Sequence, residues 1–146
     1  MILDSGERTE YNTGAVRDLK EGKGRFDLMP LDVVAEYLED SVIYHISRYK
    51  ASGDVTELYE ALRIFIDDAY RSDSYRAMRE VAKHFEDGCN KYGADNWRKG
   101  IPENSYIDSA VRHYCKWMSG MTDEPHDRAF VWNILCLAWT SRKGVK

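Results

Sequence analysis

"AFVWNILCLAW", residues 129–139, is apolar on nearly every side of a helical wheel. A surface helix carries one apolar stripe, so a helix with no polar face belongs at the centre of a bundle. This stretch predicts a buried central helix around which the remaining chain must pack. The helix opens within "DEPHDRAF", where Pro125 suits a first turn because its missing N–H would find no partner there anyway.

Working outward, four more helical patterns precede it. Val34, Tyr37, Leu38, Val42 and Ile46 recur at three- and four-residue spacing and predict one helix over about 31–50, opened by Pro30. Leu58, Ala61, Leu62, Phe65 and Ala69 mark a second, with Thr56 as its candidate N-cap. Tyr75, Met78, Val81, Ala82 and Phe85 line a third that Gly88 or Gly93 ends. Ile107, Ala110, Val111, Tyr114 and Met118 form a fourth, stopped near Gly120. No alternating strand pattern, internal repeat or low-complexity tract interrupts them. The expected fold is all-α: about five helices in a bundle, with an extended N-terminal arm over 1–28, forming a single domain over 1–146.

At 146 residues, with 43% hydrophobic and 32% charged residues, the composition is that of an ordinary soluble domain. The formal charge of −4 argues against broad nucleic-acid binding, which needs clustered positive charge to replace phosphate counterions. Cys89, Cys115 and Cys136 lack the C-x-x-C spacing of a zinc site and read as reduced helical thiols. No apolar run approaches the ~18 residues of a membrane span and the N-terminus lacks a signal-peptide shape, so a cytoplasmic location is expected.

Three acidic groupings could hold a metal. The end of the third helix offers His84, Glu86 and Asp87. The start of the fifth offers Asp123, Glu124, His126 and Asp127, in which acids three and four apart share a helix face. Converging carboxylates are hard oxygen ligands for Mg²⁺ or Mn²⁺, but acids at a helix N-terminus also simply complement its dipole. The third grouping, Glu36, Glu39, Glu57 and Glu60, makes two E-x-x-E pairs, and a solvated acidic face explains it equally well. Lys91, Arg98, Lys99, Arg112 and Lys116 concentrate positive charge near the acids, as a triphosphate site needs. A histidine–aspartate phosphohydrolase reading of His126-Asp127 fails because no Asp or Glu follows Asp127.

Between the third and fourth helices lies "EDGCNKYGADNWRKG", residues 86–100. Gly88 and Gly93 permit backbone turns, Tyr92 and Trp97 offer flat faces to a purine, and Asn90 and Asn96 can satisfy loop backbone or read a base edge. Trp97 could equally plug the core.

With "GKGRFDLMP" (22–30), "KYGADNW" (91–97), Arg112-His113, Asp123 to His126 and Trp132-Asn133, this loop resembles the small phage-type dATP/dGTP diphosphohydrolases. These are the MazZ-like branch of the all-α, MazG-like nucleotide pyrophosphohydrolases. The resemblance covers about half the chain in the same order. It implies hydrolysis of dGTP and dATP to the monophosphate and pyrophosphate, two or three Mg²⁺ or Mn²⁺ ions per site, and a homodimer or homotetramer. It also implies that residues 31–76 are a helical insertion. The family's usual E-x-x-E is not intact here: Glu124 to Asp127 supplies the second half of the acidic pattern, while "HFEDGCN" supplies only Glu86, Asp87 and His84. Glu86, Glu124 and Asp127 are therefore the expected metal ligands and catalytic acids, with Asp123, His84 and Asp87 as alternates. Lys91, Arg112 and Lys116 are expected on phosphates, and Tyr92, Asn96, Trp97 and His113 around the nucleoside. A nucleotide-binding regulator or sponge that does not hydrolyse its ligand, or a purely structural helical module, are the competing readings.

Overall fold

The computed structural model describes residues 8–11, 15–18 and 22–144. Six α-helices carry the fold: α1 (Leu31–Leu38), α2 (Ser41–Ser52), α3 (Val55–Ala69), α4 (Ser74–Tyr92), α5 (Glu103–Met118) and α6 (His126–Arg142). The class is all-α, as the periodicity predicts. No helix among the described residues is long and apolar enough to cross a membrane.

The central position of α6 follows from its lack of a polar face. Ala129, Phe130, Val131, Ile134, Cys136, Leu137 and Ala138 are all buried, and α5, α4 and α3 each pack against the helix. Phe65 of α3 reaches Phe130 at a ring separation of 4.4 Å and Tyr114 of α5 at 6.0 Å, so three helices meet in one aromatic knot. Helices α1, α2 and α3 pack in sequence, each on the next. All three cysteines are free thiols on helices.

Three local expectations change. The single helix over 31–50 is two helices. Glu39 adopts φ 52° as the left-handed cap of α1, and Asp40 then caps α2 by accepting from Ile43 N at 2.9 Å. The redirection buries Val42 and Ile46 but leaves Tyr37 86% and Leu38 53% exposed. Asp54, not Thr56, caps α3, because its carboxylate accepts from the Thr56 N–H at 3.0 Å. Helix α4 turns its Ala77–Val81–His84 side inward and leaves Tyr75 83% exposed; it runs through Gly88 and stops at Gly93, whose φ of 94° suits a residue without Cβ.

The arm also differs. Arg8–Glu10 and Val16–Asp18 pair as a two-stranded antiparallel ribbon, β1 and β2, with Thr9 opposite Arg17. Tyr11 Oη donates to Ser105 Oγ at 3.1 Å, and Ala15 is fully buried, so the ribbon is pinned to the start of α5. Farther along, a 3-10 turn at Phe26–Leu28 docks on α5. The Phe26 N–H donates to Asp108 Oδ1 at 2.7 Å, and Arg112 Nη2 donates to Gly24 O at 2.8 Å and to Asp108 Oδ2 at 2.5 Å. "GKGRFDLMP" is thus an anchoring segment clipped to a buried ion pair.

Candidate metal and nucleotide site

Helix α5 and the start of α6 bring His113, Glu124 and His126 together. One ligating atom from each lies within 4.8 Å of the others, and this is the group of three potential ligands that converges among the described residues. His113 projects from the middle of α5. Glu124 lies in the connection, and His126 is the first residue of α6, held in place when its N–H donates to Glu124 O at 2.9 Å.

His113 Nδ1 and His126 Nδ1 face each other at 2.9 Å. On its other edge, His126 Nε2 lies 2.7 Å from Asp123 Oδ1. With that carboxylate ionised, Nε2 carries the proton and Nδ1 presents a lone pair toward His113. The bond from His126 holds the Asp123 carboxyl below its ordinary range. Burial, then the neighbouring His126, pushes His113 well below the usual histidine range, so its ring is neutral at pH 7. Two imidazole rings with a carboxylate alongside can hold a divalent cation, and a second carboxylate that fixes one ring's tautomer is the usual support of a metal-bound histidine. The donor set fits a metal.

Several expected site residues lie elsewhere. Glu86 is exposed on α4. Asp127, one residue past His126, accepts from Tyr70 Oη at 2.8 Å and so is held at the end of α3. Asp123 reaches the cluster through His126. Arg112, expected on phosphate, is 6% exposed and committed to Asp108 and the arm. Glu57 pairs with His45 at 3.0 Å and Arg48 at 3.4 Å, and Glu60 with Arg63. Glu36 and Glu39 line a separate cleft of about 590 Å³ between α1 and α2. The two E-x-x-E pairs thus do not converge on one point among the described residues.

In the loop, Trp97 packs edge-on against Phe85 (5.7 Å) and Trp139 (5.1 Å), with Arg98 over its ring at 4.5 Å. Asn96 is buried. These contacts lay the loop over the α4–α6 seam. Tyr92 carries Arg8 at 5.0 Å and Lys91 at 5.3 Å over its ring. Lys116, one turn after His113, adds positive potential at both His113 and Asp123, which places it beside the cluster.

A family model described as dATP/dGTP diphosphohydrolase, N-terminal, matches residues 66–146, more than half of the chain. The chain belongs to that family. No curated protein and no solved structure matches it. The matched region holds α4, α5, α6 and the whole His113–Glu124–His126 cluster, so the converging ligands lie within the part that carries dATP/dGTP diphosphohydrolase membership.

His126 was the residue hardest to read as a ligand. It stands among three acids at a helix start, and its partner His113 is 13 positions away on another helix, a distance no local spacing rule connects. His84 is an alternate ligand that the structure keeps apart. It is 7% exposed and tilted against Trp132 at 5.5 Å, and burial pushes its imidazole down to about 4. The unfolded chain, with its histidine near 6.5, takes up the proton first as pH falls. Stability present above pH 6.5 should therefore be lost toward pH 4, by about 3 kcal/mol from this group alone. Urea unfolding in chelator at pH 7 and pH 4.5 should show the loss. His84→Gln should flatten it, and an unchanged slope would contradict this assignment.

Proposed function

We propose that the chain hydrolyses dGTP and dATP to the monophosphate and pyrophosphate, using a divalent cation held by His113, Glu124 and His126. The observation that carries this reading is the placement of a preorganised two-imidazole, one-carboxylate donor set inside the region that matches the dATP/dGTP diphosphohydrolase family. Such a set suits Mn²⁺ or a neighbouring transition metal better than Mg²⁺, which prefers an all-oxygen shell. A cation bound there supplies Lewis-acid polarisation of a phosphate oxygen and a more acidic water.

The chain's own residues do the rest. Asp123 holds His126 in the tautomer that offers Nδ1 inward, and Lys116 adds positive charge where phosphate oxygens would lie. In the reaction a water oxygen bonds to the α-phosphorus, the bond to the α–β bridging oxygen breaks, and pyrophosphate leaves with that oxygen. The proton shared by the two Nδ1 atoms would give way to a bound cation, and the His113 ring, whose burial disfavours the doubly protonated form, would then turn its Nδ1 lone pair to it.

Product analysis tests the proposal. Incubation with dGTP and Mn²⁺ should give dGMP and pyrophosphate in equal amounts, and a chelator should stop turnover. Release of orthophosphate would contradict the reaction class. A thermal shift with dGTP in the absence of any turnover would instead identify a nucleotide-binding protein without hydrolytic activity.

A further inference from the structure

The seam between α4 and α6 buries three nitrogens that have no hydrogen-bond partner among the described residues: His84 Nδ1, Arg128 Nε and Trp132 Nε1. They are neighbours. Arg128 and Trp132 are four apart on one face of α6, and the His84 ring lies tilted against Trp132 at 5.5 Å. A buried polar group left unpaired costs about 1–3 kcal/mol, so three in one place call for a shared partner.

A second cation borders the same spot from the arm. The Arg17 guanidinium of β2 lies 5.5 Å from the Tyr106 ring centroid and 5.6 Å from that of Trp132. It donates two long hydrogen bonds to neutral acceptors, from Nη2 to Asn133 Oδ1 at 3.3 Å and from Nη1 to Ser105 O at 3.5 Å. Glu80 neutralises one edge of Arg128 at 3.0 Å but also serves Lys83 at 2.9 Å, and it leaves Arg128 Nε facing inward. At His84 the charge of Asp87 favours the protonated ring while those of Arg128 and Arg17 oppose it.

From this arrangement we infer that Arg17, His84, Arg128 and Trp132 form an anion subsite that takes the diphosphate end of a nucleoside triphosphate. Indole and guanidinium N–H groups donate but do not accept, so their common ligand is an oxygen-rich anion, and buried guanidinium–phosphate bonds are among the stronger ones a protein makes. Position supports the assignment. Arg128 stands two residues after His126, and the charges of Arg17 and His84 both reach His113. A triphosphate with its α-phosphate at the cluster would extend its β- and γ-phosphates toward these donors. Arg17 also gives the arm a direct part in binding.

The inference rests on the proposed reading of the site, and pyrophosphate separates the two because its binding requires no turnover. Calorimetric titration with pyrophosphate, alongside KM and kcat for dGTP, should be run on the wild type, Arg17→Gln, Arg17→Lys and Trp132→Phe. Arg17→Gln should weaken pyrophosphate and raise KM for dGTP by about tenfold or more. It should change the affinity for dGMP, which lacks the outer phosphates, less than about twofold. Arg17→Lys should recover part of the loss. Trp132→Phe keeps the ring and removes the N–H, so it should weaken pyrophosphate even if the arm fails to dock in the Arg17 variants. Pyrophosphate affinity equal to wild type in Arg17→Gln and Trp132→Phe would overturn the subsite, with dGTP hydrolysis still standing. Arg17-dependent pyrophosphate binding in a chain that never hydrolyses dGTP would keep the subsite and defeat the catalytic reading.

Discussion

Glu124→Gln is expected to reduce kcat/KM for dGTP by at least about 100-fold while leaving the helical content and melting temperature unchanged. Loss of a residue that merely orients a metal ligand typically costs 10–100-fold, and loss of a ligand's charge should reach or exceed the top of that range. Glu124 is the one carboxylate in the converging group, so the amide removes the anionic member at nearly constant shape. Its fold contribution is its backbone carbonyl, which accepts from the His126 N–H and is untouched by the substitution. Glu36→Gln, in the separate α1–α2 cleft, should leave turnover within about twofold of wild type. Steady-state kinetics on the two variants decides between the sites. An active Glu124→Gln beside an inactive Glu36→Gln would move the chemistry to α1 and α2.

The largest stability effect should come from Asp108→Ala. Asp108 is fully buried, and its two oxygens take the Phe26 N–H and the Arg112 guanidinium. Removing one partner of a buried ion pair leaves the other charge unpaired and costs about 3–5 kcal/mol. For a chain of this size that corresponds to a fall in melting temperature of roughly 10 °C or more. The same substitution releases the Phe26–Leu28 turn from α5, so cleavage of the arm by a protease should accelerate. Arg63→Ala breaks only an exposed pair on α3 and should stay within about 0.5 kcal/mol of wild type. Calorimetry of both variants checks the contrast. A loss of under about 1 kcal/mol for Asp108→Ala would mean that the pair does not anchor the arm.

The bundle was legible because its signals are local. An eleven-residue run without a polar face can only be central, and α6 is central. Helix boundaries were less legible because they turn on single residues, as where Glu39 stops one helix and Asp40 starts the next. The ribbon escaped notice because three-residue strands are too short to show alternation. Within the candidate site, Glu124 was expected as a metal ligand and His113 only beside the nucleoside, whereas the place of both histidines in the cluster depends on a cross-helix contact of 2.9 Å. Arg112 carried the same positive charge as a phosphate ligand would. Only the three-dimensional structure shows that Asp108, one turn earlier on α5, consumes it. Arg17 was invisible for the converse reason: an arginine in a polar arm gives no hint that it lies over the rings of Tyr106 and Trp132.

The central claim is that His113, Glu124 and His126 form the metal centre, and anomalous diffraction from crystals soaked in Mn²⁺ tests it most directly. The account predicts a manganese peak bonded to His113 Nδ1, His126 Nδ1 and the Glu124 carboxylate, with Asp123 on the far side of the His126 ring. A peak among Glu36, Glu39, Glu57 and Glu60, or one held by Glu86 and Asp127 with both histidines uninvolved, would contradict it.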